Sequence, residues 1–341
     1  MLRLLFLYLF LAFSLFTFGQ KSIKEHAFKT FYQSQNSCDT IEIKNSSLNT
    51  DDWVKDQVGT TTSFEGQLLD LSNGVKSKNF TFYNTAIKVK KADGIVFYFK
   101  DFIIPKGGVL YIKGVHSNSF ITYNHTDNLD GGIFVTHLIS DQAISIVYQQ
   151  LNGTPLPNLA VSEVGITNKQ TKYRRKKAFG AAGDCLININ CSEGNDWQDE
   201  KRSAVRILTK VAGKLLTCSG TIMNNTAEDF TPYILTAEHC ANQAGTNNYS
   251  TPEELDSWIF YFNYESDNCA NPSGESEVNF KTMTGATFVA QSHDMGGDKG
   301  SDFYLVKLKQ NIPANYCAFY SGWNRENKPA QSGVSIHHPK F

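Results

Sequence analysis

Between Gly94 and Ile166 the apolar residues fall into short runs cut by turn signals, with no helical period anywhere in the stretch. Gly94-Ile95-Val96-Phe97-Tyr98-Phe99, Val109-Leu110-Tyr111-Ile112 and Ala143-Ile144-Ser145-Ile146-Val147-Tyr148 are rich in β-branched and aromatic residues. Pro105-Lys106-Gly107-Gly108, Asp130-Gly131-Gly132 and Asn152-Gly153-Thr154-Pro155 separate them. Evenly spaced short strands of this kind predict an all-β sandwich over roughly residues 65 to 166. The stretch from about Lys21 to Val58 is less periodic and supports no assignment.

The start of the chain points to a compartment. Arg3 is a short positive flank, Leu4 to Phe18 is almost unbroken apolar sequence, and Gly19, Gln20 and Lys21 follow. That is the layout of a secretory signal peptide over residues 1–19, and its apolar run is short of the roughly 20 residues that span a bilayer. The expected destination is extracellular. With 32 Lys+Arg against 33 Asp+Glu, a net charge of -1 excludes the strongly basic character of nucleic-acid and anionic-membrane binders. Seven cysteines behind such a leader predict disulfides, and an odd number leaves at least one without a partner in this chain.

Composition changes abruptly after Thr167. Lys169, Lys172, Arg174, Arg175, Lys176 and Lys177 crowd together, followed by the small-residue stretch Ala178-Phe179-Gly180-Ala181-Ala182-Gly183. Such a run is either a solvated linker or a processing site, since exposed dibasic chain is where proteases cut. A second β-rich, cysteine-bearing region begins beyond it.

That region carries the chemistry. In Tyr233-Ile234-Leu235-Thr236-Ala237-Glu238-His239-Cys240 an apolar strand runs into a small residue, a histidine and a cysteine. Cys218-Ser219-Gly220-Thr221-Ile222 lies 22 residues upstream in strand-like sequence. The pair of segments resembles the chymotrypsin-type serine proteases, whose catalytic histidine stands in T-A-x-H-C and whose following cysteine is bonded back to a C-[SG]-G strand. The resemblance extends to Gly300-Ser301-Asp302-Phe303-Tyr304-Leu305-Val306-Lys307-Leu308, where an aspartate opens an apolar strand. It implies that His239 is the general base and that Asp302 is the buried carboxylate fixing its tautomer. The order His239 then Asp302 fits this family and not the subtilisin order. A G-D-S-G-G-like nucleophile turn does not occur after Asp302, and the expectation is a chain truncated before its catalytic serine and the oxyanion hole around it.

From about Gly180 onward the succession narrows further. Asp184-Cys185 to Cys191, the Cys218 strand, Phe262-Asn263-Tyr264 with Cys269, Tyr320-Ser321-Gly322-Trp323-Asn324-Arg325 and Ile336-His337-His338-Pro339 resemble the bacterial lysyl endopeptidases. That resemblance implies Cys218–Cys240 and Cys191–Cys269 bridges, a partner for Cys185 outside this chain, and cleavage of protein or peptide substrates after lysine. It also implies a zymogen in which residues 20–177 are a β-rich pro-region, cut between Lys177 and Ala178, and residues 178–341 are the first barrel and the start of the second. No cofactor or metal is called for, and a monomer without nucleic-acid or stable membrane partners is expected. Glu238 departs from the small or histidine residue usual before the catalytic histidine, and Cys38 and Cys317 have no counterpart.

Other features are weaker. His337-His338 lacks a third ligand at zinc spacing. Cys240 beside His239 invites a cysteine-protease reading, but neighbours in a strand point apart, and a disulfide is expected of Cys240 instead. Trp323 and its neighbouring tyrosines are expected in the core, and Val334-Ser335-Ile336 as a strand. The alternative function is a non-catalytic, protease-like secreted binding or adhesion module.

Overall fold

A computed structural model describes residues 40–43, 57–168, 186–243, 246–270, 272, 278–296 and 300–339. The expected leader, Cys38, the basic cluster, the Lys177–Ala178 junction and Cys185 lie outside the described residues. What is described is almost entirely β.

The sequence-predicted sandwich is present. Its first sheet has six strands: β1 (Thr40–Ile43), β4 (Phe80–Val89), β9 (Ala143–Leu151), β6 (Val109–Gly114) and β7 (Phe120–Asn124) in that order, with β3 (Val75–Lys76) on β4. In β4 the buried and half-exposed residues alternate, the period of a strand with one covered face. Opposite it lie β2 (Gln57–Ser63), β10 (Asn158–Thr167), β5 (Gly94–Ile103) and β8 (Phe134–Val135). Phe97, Phe99, Phe102, Val164 and Ile166 from this side meet Ile87, Leu110, Ile112, Ile144, Ile146 and Tyr148 from the other in one buried core. The glycine turns behave as their residues demand: Gly107, Gly131, Gly132 and Gly153 all have positive φ. The sandwich starts earlier than expected, because β2 lies before residue 65. Its Gln-Val-Gly-Thr-Thr-Thr-Ser sequence has little apolar content to show a period.

The second unit is a nearly closed barrel. Its strand path runs β16 (Ala286–Gln291), β17 (Phe303–Leu308), β13 (Tyr233–Ala237), β12 (Lys214–Met223), β11 (Ala204–Val211), β14 (Ile259–Ser266) and β15 (Val278–Thr284). The two ends of this path are joined through Gly285, whose φ is +84°. Gly285 donates to Trp258 O at 3.0 Å and accepts from Lys309 N at 3.2 Å, so one glycine ties both edges. Val205, Ile207, Ile222, Ile234, Trp258, Phe260, Phe262, Tyr304 and Val306 fill the interior.

The two units share a sheet. β12 pairs with β11 along one side, while its other side forks: Thr221–Met223 pair with β13, and Lys214–Leu216 pair with β2 of the sandwich. A joint core of Val58, Val96, Tyr98 and Val135 with Leu208, Leu215, Ile259, Tyr261, Tyr264 and Val278 covers the outside of the barrel here. This is why Trp258-Ile259-Phe260-Tyr261-Phe262 is apolar at every position: alternate residues face the barrel interior and the sandwich.

Two expectations about the C-terminal stretch are corrected. Val334-Ser335-Ile336 form no strand, and Val334 is exposed. Trp323 is 50% exposed rather than in the core, because 322–333 is irregular chain on the surface with no element packed over it. Tyr316 and Tyr320 do pack, partly buried, against the barrel core.

Candidate active site

The site is built where β13 ends. Tyr233-Ile234-Leu235-Thr236-Ala237 lies between β12 and β17, and the buried Thr236 hydroxyl donates to Ser219 O at 2.8 Å. Glu238, His239 and Cys240 then form a single 3-10 turn, not the continuation of the strand. The Glu238 N–H still bonds Asp302 O at 2.9 Å, the next partner in the β13–β17 register, and the chain turns after it. Cys240, buried in this turn, is joined to Cys218 on β12, and Cys191 is joined to Cys269. Gly220 supports the same strand from inside the barrel: a Cβ there would stand 2.8 Å from both Ile207 and Ile234 side chains. The glycine of the C-S-G segment is thus required by close packing.

Asp302, the residue before β17, reaches His239 twice. The His239 backbone N–H donates to Asp302 Oδ1 at 2.9 Å, and His239 Nδ1 is paired with Asp302 Oδ2 at 2.6 Å. A carboxylate at Nδ1 fixes that nitrogen as the protonated one and leaves Nε2 as the basic lone pair. Among the described residues Nε2 has no hydrogen-bond partner. The His239 and Asp302 side chains are 37% and 29% exposed. This corrects the expectation of a buried carboxylate: no described element lies over this face of the barrel.

Asp294, Gly296, Ser292 and Tyr249, which sequence reasoning did not single out, complete the surroundings of Asp302 and Glu238. Asp302 has a φ of +48°, unusual for a non-glycine residue. Its N–H donates to Asp294 Oδ2 at 2.9 Å, and Gly296 N–H donates to Asp294 Oδ1 at 3.2 Å. The Asp302 N–H bond is the main reason the Asp294 carboxyl is held below its ordinary pKa. Gly296, with φ +68°, lies so close to His239 that a Cβ would stand 2.6 Å from its Cα. Glu238 is fully buried beneath the histidine and accepts from Tyr249 Oη, Ser292 Oγ and the Asp294 N–H. Only tertiary contacts reveal this acid's role, since its partners are 11 and 54–56 residues away.

A metal reading finds no support in the donor set. Cys218, Cys240 and His239 have ligand atoms within 4.8 Å of one another, but both sulfurs are consumed in the bridge and no thiolate is left. His338 is partly buried, its Nε2 enclosed and without a partner among the described residues, and desolvation and then nearby Arg206 push its pKa down to about 3. It packs on Tyr264 and is bonded through its backbone to Ser219 Oγ, a structural placement away from His337, which is exposed. Cys317 is free and exposed.

Residues 179–341 match the family model described as lysyl endopeptidase, C-terminal domain.

Proposed function

We propose that this lysyl-endopeptidase-related chain is the precursor of a secreted serine endopeptidase, with His239 as general base and Asp302 as its orienting carboxylate. The observation that carries the reading is the double contact of Asp302 with His239, through Nδ1 and through the backbone N–H of the same residue. A carboxylate gripping both atoms holds ring orientation and tautomer together, the requirement for a base that must meet a hydroxyl within hydrogen-bond reach.

In the reaction, His239 Nε2 takes the proton of the serine hydroxyl as its oxygen attacks the scissile carbonyl. The Asp302 carboxylate stabilises the imidazolium so formed, and Nε2 then returns the proton to the leaving amine. The serine that such a base serves stands in a G-D-S-G-G-like turn in these proteases, a motif that does not occur between Asp302 and Phe341. Cleavage after Lys177 would release Ala178 as a new N-terminus, a cut that a lysine-specific enzyme makes on itself. The acid–base half of the site and the family match support these assignments; the specificity rests on the family match alone.

The test is kinetic, on the full-length enzyme with a lysyl amide substrate. His239→Ala should abolish turnover with the fold intact. Asp302→Asn should lower kcat by about 10⁴, the cost of stabilising the wrong tautomer. A folded His239→Ala variant turning over near the wild-type rate would overturn the assignment.

A further inference from the structure

Glu238 is an acid with no exposed surface in the residue next to the base. Burying a carboxyl is costly unless donors converge on it, and here three do. Tyr249 Oη bonds one oxygen, while Ser292 Oγ and the Asp294 N–H bond the other, the last at 3.2 Å. Burial, and then the bond to Glu238, raise the Tyr249 pKa, which keeps its hydroxyl a donor. Glu238 offers these donors an acceptor oxygen on each side of its carboxyl group.

The partners of Glu238 are the residues that hold Asp302. Ser292 also takes the N–H of Phe303 on its hydroxyl at 3.1 Å and gives its own N–H to Phe303 O at 3.0 Å. Asp294 takes the N–H of Asp302 at 2.9 Å. Asp302 is in the left-handed region, a conformation that persists where the surroundings over-determine it.

We propose that Glu238 is a positioning residue: through Ser292 and Asp294 it holds the 292–296 segment, and through that segment the Asp302 backbone, so that the carboxylate stays aimed at His239 Nδ1. This rests on the reading of His239 and Asp302 as the catalytic couple. Glu238 acts without touching substrate.

The test uses the 341-residue chain and proton NMR. The proton between His239 Nδ1 and Asp302 should give a low-field resonance that Asp302→Ala removes. If no such resonance exists, or Asp302→Ala leaves it in place, the couple itself is misread, and the proposal falls with it. With the couple established, Glu238→Ala should broaden or abolish the resonance. Glu238→Gln should retain the resonance, since its amide oxygen can still accept from Ser292 and Asp294. A folded Glu238→Ala chain with the resonance unchanged overturns the proposal. If Glu238→Ala does not fold, Ser292→Ala and Asp294→Asn decide it: both should shift the resonance in the same direction, and no shift in either is the overturning result. In the full-length enzyme the loss should fall on kcat and leave KM unchanged.

Discussion

At the scale of single residues, the site depends on what cannot be larger as much as on what is charged. Gly296 sits against the His239 backbone with φ +68°, so an alanine there meets both a conformational penalty and a collision with Cα, Cβ and N of the histidine. The collision is with main chain, which has no rotamer to yield. Gly296→Ala should therefore destabilise the chain by about 1–3 kcal/mol and displace the His239 backbone amide shift, readable by urea unfolding and a backbone NMR spectrum. Wild-type stability with an unmoved His239 amide would show that the segment simply slides away. Gly220 was legible in the sequence as part of C-S-G, while Gly296 was not, because its constraint comes from a residue 57 positions earlier in the chain.

Among the elements, β12 is the one on which the site is hung. It carries Cys218, receives the Thr236 hydroxyl on Ser219 O and pairs with β13, the strand that ends at the histidine. The Cys218–Cys240 bridge spans 22 residues and fastens the 3-10 turn containing His239 back onto this strand. Replacing both cysteines by alanine should cost about 2–5 kcal/mol, the usual range for a native bridge in a small secreted domain. Hydrogen exchange should rise most in residues 238–243, the turn that loses its tether. A uniform rise across the barrel would mean that the bridge acts on the unfolded chain alone. The same element explains a miscast sequence expectation: His239 and Cys240 are neighbours in a turn, so the strand rule for opposite-facing side chains does not apply to them.

Over the whole molecule, sandwich and barrel are one continuous structure among the described residues. Besides the β2–β12 pairing, Lys210 is paired with Glu163, Leu138 N donates to Tyr261 Oη at 3.4 Å, and His137 bonds Thr282. His137 is partly buried between Tyr123 and Phe280, and desolvation pushes its pKa down to about 4. The folded chain thus keeps this imidazole neutral where the unfolded chain binds a proton. The stabilisation is complete above the ordinary histidine pKa of 6.5 and is lost as pH falls from there toward about 4. The wild type should lose up to about 3 kcal/mol over that window relative to His137→Asn, measured by urea titrations at several pH values; parallel profiles would contradict the prediction. An excised barrel of residues 178–341 should expose Leu208, Leu215, Ile259 and Tyr261 and bind a hydrophobic dye, whereas a chain nicked after Lys177 should retain the sandwich on gel filtration.

How far the chain could be read in advance follows from the range of each interaction. Runs of β-branched and aromatic residues and glycine turns are local, so β5, β6 and β9 with their turns were visible, and so were the strand before His239 and the one after Asp302. The pairing of His239 with Asp302 was expected from two short motifs through the family they resemble, and the two side chains do meet. What folding alone established was the joining of the halves: β2 has no apolar signature, and it becomes a strand by pairing with β10 and with the free half of β12. The exposure of Trp323 and the roles of Glu238, Ser292 and Asp294 belong to the same class. Each is set by which distant segment arrives beside it, and hydrogen bonds between residues 54–63 positions apart leave no periodic trace in a sequence.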